Sequence, residues 1–253
     1  MKVAYYQQDI VWEDTGANLE KVKEAVSRLE PDTDLLILPE MFNSGFTMNP
    51  EKVAEQMNGH VVTFLKELAS EQGIAVTGST VILENEKHYN RLLVVSAGGK
   101  VEHYDKRHLF SIGGEDKNYV KGKEKLITSV GNMKVLPLIC YDLRFPVWSR
   151  NQNDYELLIY IANWPASRRE VWNTLLKARA IENQCYVIGV NRIGKDATIS
   201  YAGDSMVLNA KGHVISSAKG EEGIFYADLD LDELTAFREK FPVWKDADKF
   251  KLL

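Results

Sequence analysis

The sequence predicts a layered α/β protein, and three observations carry that prediction. Strand-like segments, some alternating and some continuously apolar, are interleaved with about four helix-like segments. The 253-residue chain has no internal repeat, low-complexity stretch or Pro/Gly/Ser linker, so it reads as one domain over 1–253. Its composition, 45% hydrophobic and 26% charged, is that of a globular protein with a sizeable core.

Taken in order, residues 2–8 alternate as a strand, and 17–30 read as a helix. LLILP is a continuous apolar run, a buried strand that Pro39 ends. Val61, Phe64, Leu65 and Leu68 share one face of a helix over 60–72. Strands follow at 74–83, 89–97 and 100–104, with Gly98-Gly99 suited to a tight hairpin. Residues 105–123 are polar and glycine-rich, a long loop of the kind that carries function. Met133 to Ile139 reads as a second buried strand, followed by a strand at 156–161 and a helix at 168–184. Strands near 185–191, 203–208, 213–217 and 223–229 precede a short helix near 231–239 and a polar, aromatic tail, FPVWKDADKFKLL.

The net charge of −5 argues against a surface built for phosphate backbones. The basic pairs Lys106-Arg107 and Arg168-Arg169 are too short to make one, so no nucleic-acid partner is expected. No stretch reaches the ~18–20 apolar residues of a membrane-spanning helix. The opening MKVAYYQQDIVW enters strand-like alternation without an apolar leader, which places the chain in the cytoplasm with no membrane partner. Two cysteines make no disulfide framework, and a reducing compartment keeps both as thiols. Cys185, in QCYVIGV, reads as core.

Three polar residues sit where apolar segments stop: Glu40 after LLILP, Lys106 after VEHYD, and Cys140 after VLPLI. Singly they read as a cap or loop charge, a surface charge and a small core hydrophobe. Together they make a working set. A thiol nucleophile needs a base, which a carboxylate supplies, and a cation to stabilise developing negative charge. His108 keeps a Cys–His pairing open. His60, His88, His103 and His213 have no motif around them, and no Cys or His cluster has metal-site spacing. Neither a P-loop nor a GxGxxG is present, so no cofactor is expected.

LPEMFNSGF, YDKRHLF and LICYDLRFP resemble, in order, the three catalytic segments of the nitrilase superfamily, the carbon–nitrogen hydrolases. YIANWPASR, WNTLLKARAIENQCYVIGVNR and GDSMVLNAKGHVI extend the resemblance over nearly the whole chain. It implies Glu40 as general base, Lys106 as oxyanion stabiliser and Cys140 as nucleophile. Glu115 matches a second glutamate that orients Lys106 and the substrate or helps place the hydrolytic water. The backbone N–H of Tyr141 is the second oxyanion donor. The implied fold is a four-layer α-β-β-α sandwich. A homodimer is expected, with the tail at about 241–253 in the contact.

Within the superfamily the motifs most resemble the omega-amidase branch, which deamidates alpha-ketoglutaramate and alpha-ketosuccinamate through a thioester. Such a small-molecule amide substrate carries a distal carboxylate and calls for a cationic anchor. Arg144 is the leading candidate and Arg168 the second, because a guanidinium binds a carboxylate bidentately. The ordinary reading of Arg144 is an internal ion pair with Asp142 or a neighbour. Phe42, Phe110 and Trp164 are expected as apolar walls. The alternatives that share the triad are a carbamoyl-amino-acid hydrolase and an aliphatic amidase. A non-catalytic binding module would leave all three residues idle.

Overall fold

The computed structural model describes residues 1–252. Its elements run β1 (Lys2–Gln7), α1 (Thr15–Val26), β2 (Leu35–Ile37), α2 (His60–Gln72), β3 (Ala75–Glu84), β4 (Lys87–Val95) and β5 (Val101–Asp105). They continue with α3 (Glu115–Asn118), β6 (Thr128–Val130), β7 (Met133–Ile139), α4 (Pro146–Ser149), β8 (Leu157–Ala162), α5 (Arg169–Asn183) and β9 (Tyr186–Asn191). The chain closes with β10 (Ile193–Lys195), β11 (Ser200–Ala202), β12 (Met206–Leu208), β13 (Val214–Ser217), β14 (Gly223–Asp228) and α6 (Leu231–Lys240).

Strand alternation decides the layering. Val3 and Tyr5 of β1, Leu35 and Ile37 of β2, and Leu92 and Val94 of β4 face one core, shared with the strands of a second sheet. Their neighbours Ala4, Tyr6, Leu36, Leu93 and Val95 face another, shared with Leu19, Val22 and Val26 of α1 and Val61, Leu65 and Leu68 of α2. The first sheet has the order β14-β1-β2-β3-β4-β5 and the second β13-β12-β9-β8-β7-β6. In each, three parallel strands form the centre (β1-β2-β3 and β7-β8-β9) and antiparallel strands flank them. Helix α5 covers the second sheet through Trp172, Leu176 and Ala180. Gly189 of β9 allows that approach, because a Cβ there would collide with Leu176 and Trp172. The result is the expected order of helix, sheet, sheet and helix.

Several boundaries differ from the sequence reading for local reasons. Helix α1 ends at Val26, since Glu30 precedes Pro31 and Arg28 and Leu29 tighten into i−3 bonds. The strand expected from 203 begins at Met206, because Gly203 and Asp204 both take positive φ. The loop over 105–123 is confirmed as mostly irregular, but holds α3 and a turn of 3-10 helix at Ser111–Gly113. Among the described residues no helix is long and apolar enough to cross a membrane.

Candidate active site

The site lies where the central parallel strands end, the edge at which α/β sheets offer ligands their crevice. After β2 the chain passes Leu38 and Pro39 to Glu40, which is fully buried. Its Oε1 accepts from Lys106 Nζ and from Asn90 Nδ2, each at 2.8 Å, and its Oε2 accepts from the Asn163 N–H at 2.8 Å. The Asn163 side chain returns to donate to the Glu40 carbonyl at 2.6 Å. Lys106 follows β5, where its N–H is held by the Asn90 carbonyl at 3.0 Å. Its ammonium also reaches the buried Glu115 carboxylate at 3.0 Å. Glu115 opens α3 and accepts from the Phe110 N–H. One ammonium thus bridges two buried carboxylates.

Cys140 leaves β7 with φ of 45°, a left-handed kink that turns the chain into a short 3-10 segment, Cys140–Arg144. The Tyr141 N–H lies in the first turn of that segment and has no helical acceptor. Asp142 holds the turn. It is buried, its Oδ2 accepts from Ile139 N–H (3.0 Å) and Tyr104 O–H (2.8 Å), and its Oδ1 accepts from His108 N–H (3.0 Å). His108 Nδ1 lies 2.7 Å from the same oxygen. The nucleophile turn and the Lys106 loop are therefore fastened together, and the His108 ring is committed to Asp142.

Burial is the largest influence on the Cys140 thiol and raises its pKa well above the ordinary value; Glu40 raises it further, and Lys106 pulls it down. Burial alone would lower Lys106, but Glu115, Glu40 and Cys140 outweigh it and hold the ammonium charged. Glu115 is raised, chiefly by burial, against the opposing pull of Lys106.

Cys140 faces a small cavity. Lys106, Phe110, Tyr141, Arg144, Trp164 and Arg168 line it. Phe42 does not. It is fully buried between Leu38 and Gly78 in the core under α1 and α2, because the kink at Met41 (φ 45°) sends its ring inward. Phe46 takes the wall position instead, with Lys106 Nζ 4.8 Å from its ring centre. The ion pair of Arg144 with Asp142 is likewise absent, since Asp142 is saturated by other donors. Arg144 stacks over Trp164, its Cζ 5.2 Å from the ring centre.

Asn90, Asn163 and Asp142 were not among the expected site residues. Asn163 carries the signal that marked Glu40 and Cys140, a polar residue where the apolar run YIA stops. Asn90 sits inside β4, where an amide gives no such mark.

Residues 2–239 match the carbon–nitrogen hydrolase family. The chain belongs to that family. Over 255 residues this hydrolase is 43% identical to the omega-amidase YafV of Escherichia coli strain K12, covering 100% of this chain and 98% of that protein. It is 32% identical over 252 residues to the 2-oxoglutaramate amidase of Bacillus subtilis strain 168, covering 98% and 97%. Among solved structures, XC1258 of Xanthomonas campestris, a CN-hydrolase superfamily protein with an arsenic adduct in its active site, superposes with a TM-score of 0.98. Identity there is 36%, and the match covers 100% of the hydrolase and 99% of that chain. The four-layer sandwich is thus the fold of the family, and the hydrolase acts on carbon–nitrogen bonds other than peptide bonds.

Proposed function

We infer that this hydrolase releases ammonia from the omega-amide of 2-oxo dicarboxylic acid monoamides, 2-oxoglutaramate and 2-oxosuccinamate, with Cys140 as nucleophile. One observation carries the reading. A thiol and an ammonium line a cavity whose wall holds guanidinium groups and no acid, and the carboxylates that the ammonium bridges lie buried behind it. That arrangement suits a substrate with a neutral amide at one end and a carboxylate at the other. The names of the Escherichia coli and Bacillus subtilis relatives point the same way.

The chemistry follows from the geometry. With its raised pKa the resting thiol is protonated, so Glu40 takes the proton as sulfur attacks the amide carbon. The C=O π pair moves onto oxygen, and Lys106 Nζ and the Tyr141 N–H receive the oxyanion. Each such donor is worth on the order of 10²–10³ in rate. Protonated Glu40 passes its proton to the amide nitrogen, the C–N bond breaks, and ammonia leaves a thioester on Cys140. Water then gives a proton to Glu40 as its oxygen attacks the thioester carbon. Collapse expels the thiolate, which recovers the proton from Glu40, and the free acid departs. Glu115 holds the Lys106 ammonium in place throughout. Arg144 anchors the distal carboxylate, and Phe110 and Trp164 confine the chain between.

Ammonia release tests this with a panel of 2-oxo acid amides, carbamoyl amino acids and aliphatic amides. The 2-oxo acid amides are expected to lead the aliphatic amides, which lack a carboxylate, in kcat/KM by at least about 10²-fold, the scale set by a carboxylate–guanidinium pair, and to lead the carbamoyl amino acids as well. A preference for carbamoyl amino acids, or no release from any amide, would reject the reading.

The same reading makes 1–253 a single cytoplasmic domain that dimerises through its tail. Phe241, Trp244 and Phe250 stay 60%, 38% and 40% exposed in one chain, an apolar surface a second copy would cover. Gln184 Nε2 donates to the Phe241 carbonyl at 2.8 Å, which docks the root of the tail on its own chain. A monomer mass by light scattering at micromolar concentration would reject the dimer.

A further inference from the structure

Two cations border the cavity beyond Cys140, Arg144 and Arg168, and neither is neutralised as Arg169, Arg179 and Arg192 are. Arg169 is paired with Asp204 at 2.7 Å, Arg179 with Glu182 at 3.0 Å, and Arg192 reaches Asp9 at 3.4 Å. Among the described residues neither Arg144 nor Arg168 has a carboxylate within ion-pair distance, and no Asp or Glu lines the cavity. The Lys106 charge is balanced from behind by Glu40 and Glu115. The positive field of the outer cavity therefore comes from the two arginines alone.

Arg168 is also fixed in place. Its Cζ lies 5.3 Å from the ring centre of Phe110, and its carbonyl accepts from Trp164 Nε1 at 2.9 Å. Trp164 in turn is held at its N–H by Asn191 Oδ1 at 2.7 Å, and Asn191 Nδ2 donates back to its carbonyl at 3.0 Å. Both aromatic walls thus carry a guanidinium, Trp164 under Arg144 and Phe110 under Arg168. A stacked guanidinium keeps its N–H edge for a ligand.

One carboxylate needs one bidentate partner, and Arg144, four residues from the nucleophile, supplies it. A second unpaired cation is surplus to that task. We propose that Arg168 is a specificity-determining residue that reads the substituent at C2 of the substrate, accepting an oxo group and excluding an ammonium. The inference rests on the omega-amide reading above. L-Glutamine has the same carbon skeleton, the same terminal amide and the same carboxylate as 2-oxoglutaramate, and differs only at C2. An oxo oxygen there accepts an N–H from Arg168, whereas an ammonium meets a like charge. Two unit charges ~6 Å apart at an effective dielectric of ~20 repel by an amount worth on the order of 10²-fold in kcat/KM.

The test compares kcat/KM for 2-oxoglutaramate, glutaramate and L-glutamine in the wild-type hydrolase, Arg168→Met and Arg168→Lys. Glutaramate has no C2 substituent, so its ratio to L-glutamine isolates charge from the oxo hydrogen bond. Arg168→Met is expected to lower 2-oxoglutaramate mainly through KM, to raise L-glutamine, and to compress the glutaramate-to-glutamine ratio by at least about 30-fold of that 10². Arg168→Lys, which keeps the charge, is expected to retain the ratio. If Arg168→Met lowers all three substrates by one common factor, or leaves the ratio unchanged, the proposal is overturned while the omega-amidase reading stands. A wild-type protein inert toward both 2-oxoglutaramate and glutaramate would overturn that reading, and this one with it.

Discussion

Cys140 and Cys185 border the same parallel block of the second sheet from opposite ends. Cys140 follows the last residue of β7 and Cys185 precedes the first of β9, and both strands run parallel to β8 between them. Burial raises the pKa of both thiols, so neither burial nor a raised pKa tells them apart. What differs is the end of the sheet. At the carboxyl end the chains of β7, β8 and β2 break into turns and deliver Cys140, Asn163 and Glu40 to one point. At the amino end Cys185 is fully enclosed, its N–H taken by the Ala180 carbonyl at 3.3 Å, and nothing opens onto it.

The sharpest way to break this comparison is to substitute each cysteine in turn. Cys140→Ser is expected to lose turnover by on the order of 10⁴–10⁶-fold with an unchanged melting temperature, the scale of removing a nucleophile. Cys185→Ser should keep kcat within about twofold and instead lose ~1–3 kcal/mol of stability, because its hydroxyl enters an apolar pocket. Equal losses of activity from the two variants would erase the distinction.

Lys106→Met comes next. Removing an oxyanion donor predicts a fall of on the order of 10²–10³ in kcat. It also leaves Glu40 and Glu115 buried side by side without their cation, so stability at neutral pH should fall by ~3–5 kcal/mol. Protonating Glu115, whose pKa burial already raises, relieves the repulsion, so the deficit should narrow as pH is lowered, which denaturant titration at pH 7 and pH 5 would read.

Asp142→Asn probes the fastening of the carboxyl end. The four contacts on the carboxylate require two acceptor oxygens, and an amide offers one. The nucleophile turn is expected to shift, lowering kcat by about 10–10² through misplacement of the thiol while KM changes little. Activity equal to wild type would show that the turn holds without the anchor.

Alkylation gives the smallest and most graded effect. A raised thiol pKa means the thiolate of free Cys140 is scarce at pH 7 and grows as pH rises toward that value. Inactivation by iodoacetamide should therefore speed up by close to tenfold per pH unit from 7 to 8. A rate flat across that range would mean that the thiol is already ionised. Cys185 should stay unmodified in the folded protein at both pH values.

Much of this was legible in the sequence because strand ends are. An apolar run that stops at a polar residue marks Glu40 and Cys140, and Asn163 carries the same mark, while Lys106 follows the mixed strand VEHYD. Asn90 is hidden because it lies in KHYNR, the polar first half of β4, where one amide among charged and polar neighbours does not stand out. Phe42 and Phe46 show the limit of extrapolating beyond a strand. Met41 and Gly45 both take positive φ, which breaks the extended alternation beyond the strand, so the wall residue cannot be chosen by counting. Asp142 is beside the nucleophile in sequence, but its partners Tyr104 and His108 come from β5 and the loop after it. Only the folded chain brings those donors to it.

The central claim, that chemistry at the carboxyl end passes through a thioester on Cys140, is tested most directly by acid-quenching the hydrolase during turnover of 2-oxoglutaramate and mapping the acyl group by peptide mass. The account predicts a mass gain of substrate minus ammonia on the peptide that contains Cys140 and none on the peptide that contains Cys185. An acyl group on Cys185, or steady turnover with Cys140 unmodified at every quench time and undiminished in Cys140→Ser, would contradict it.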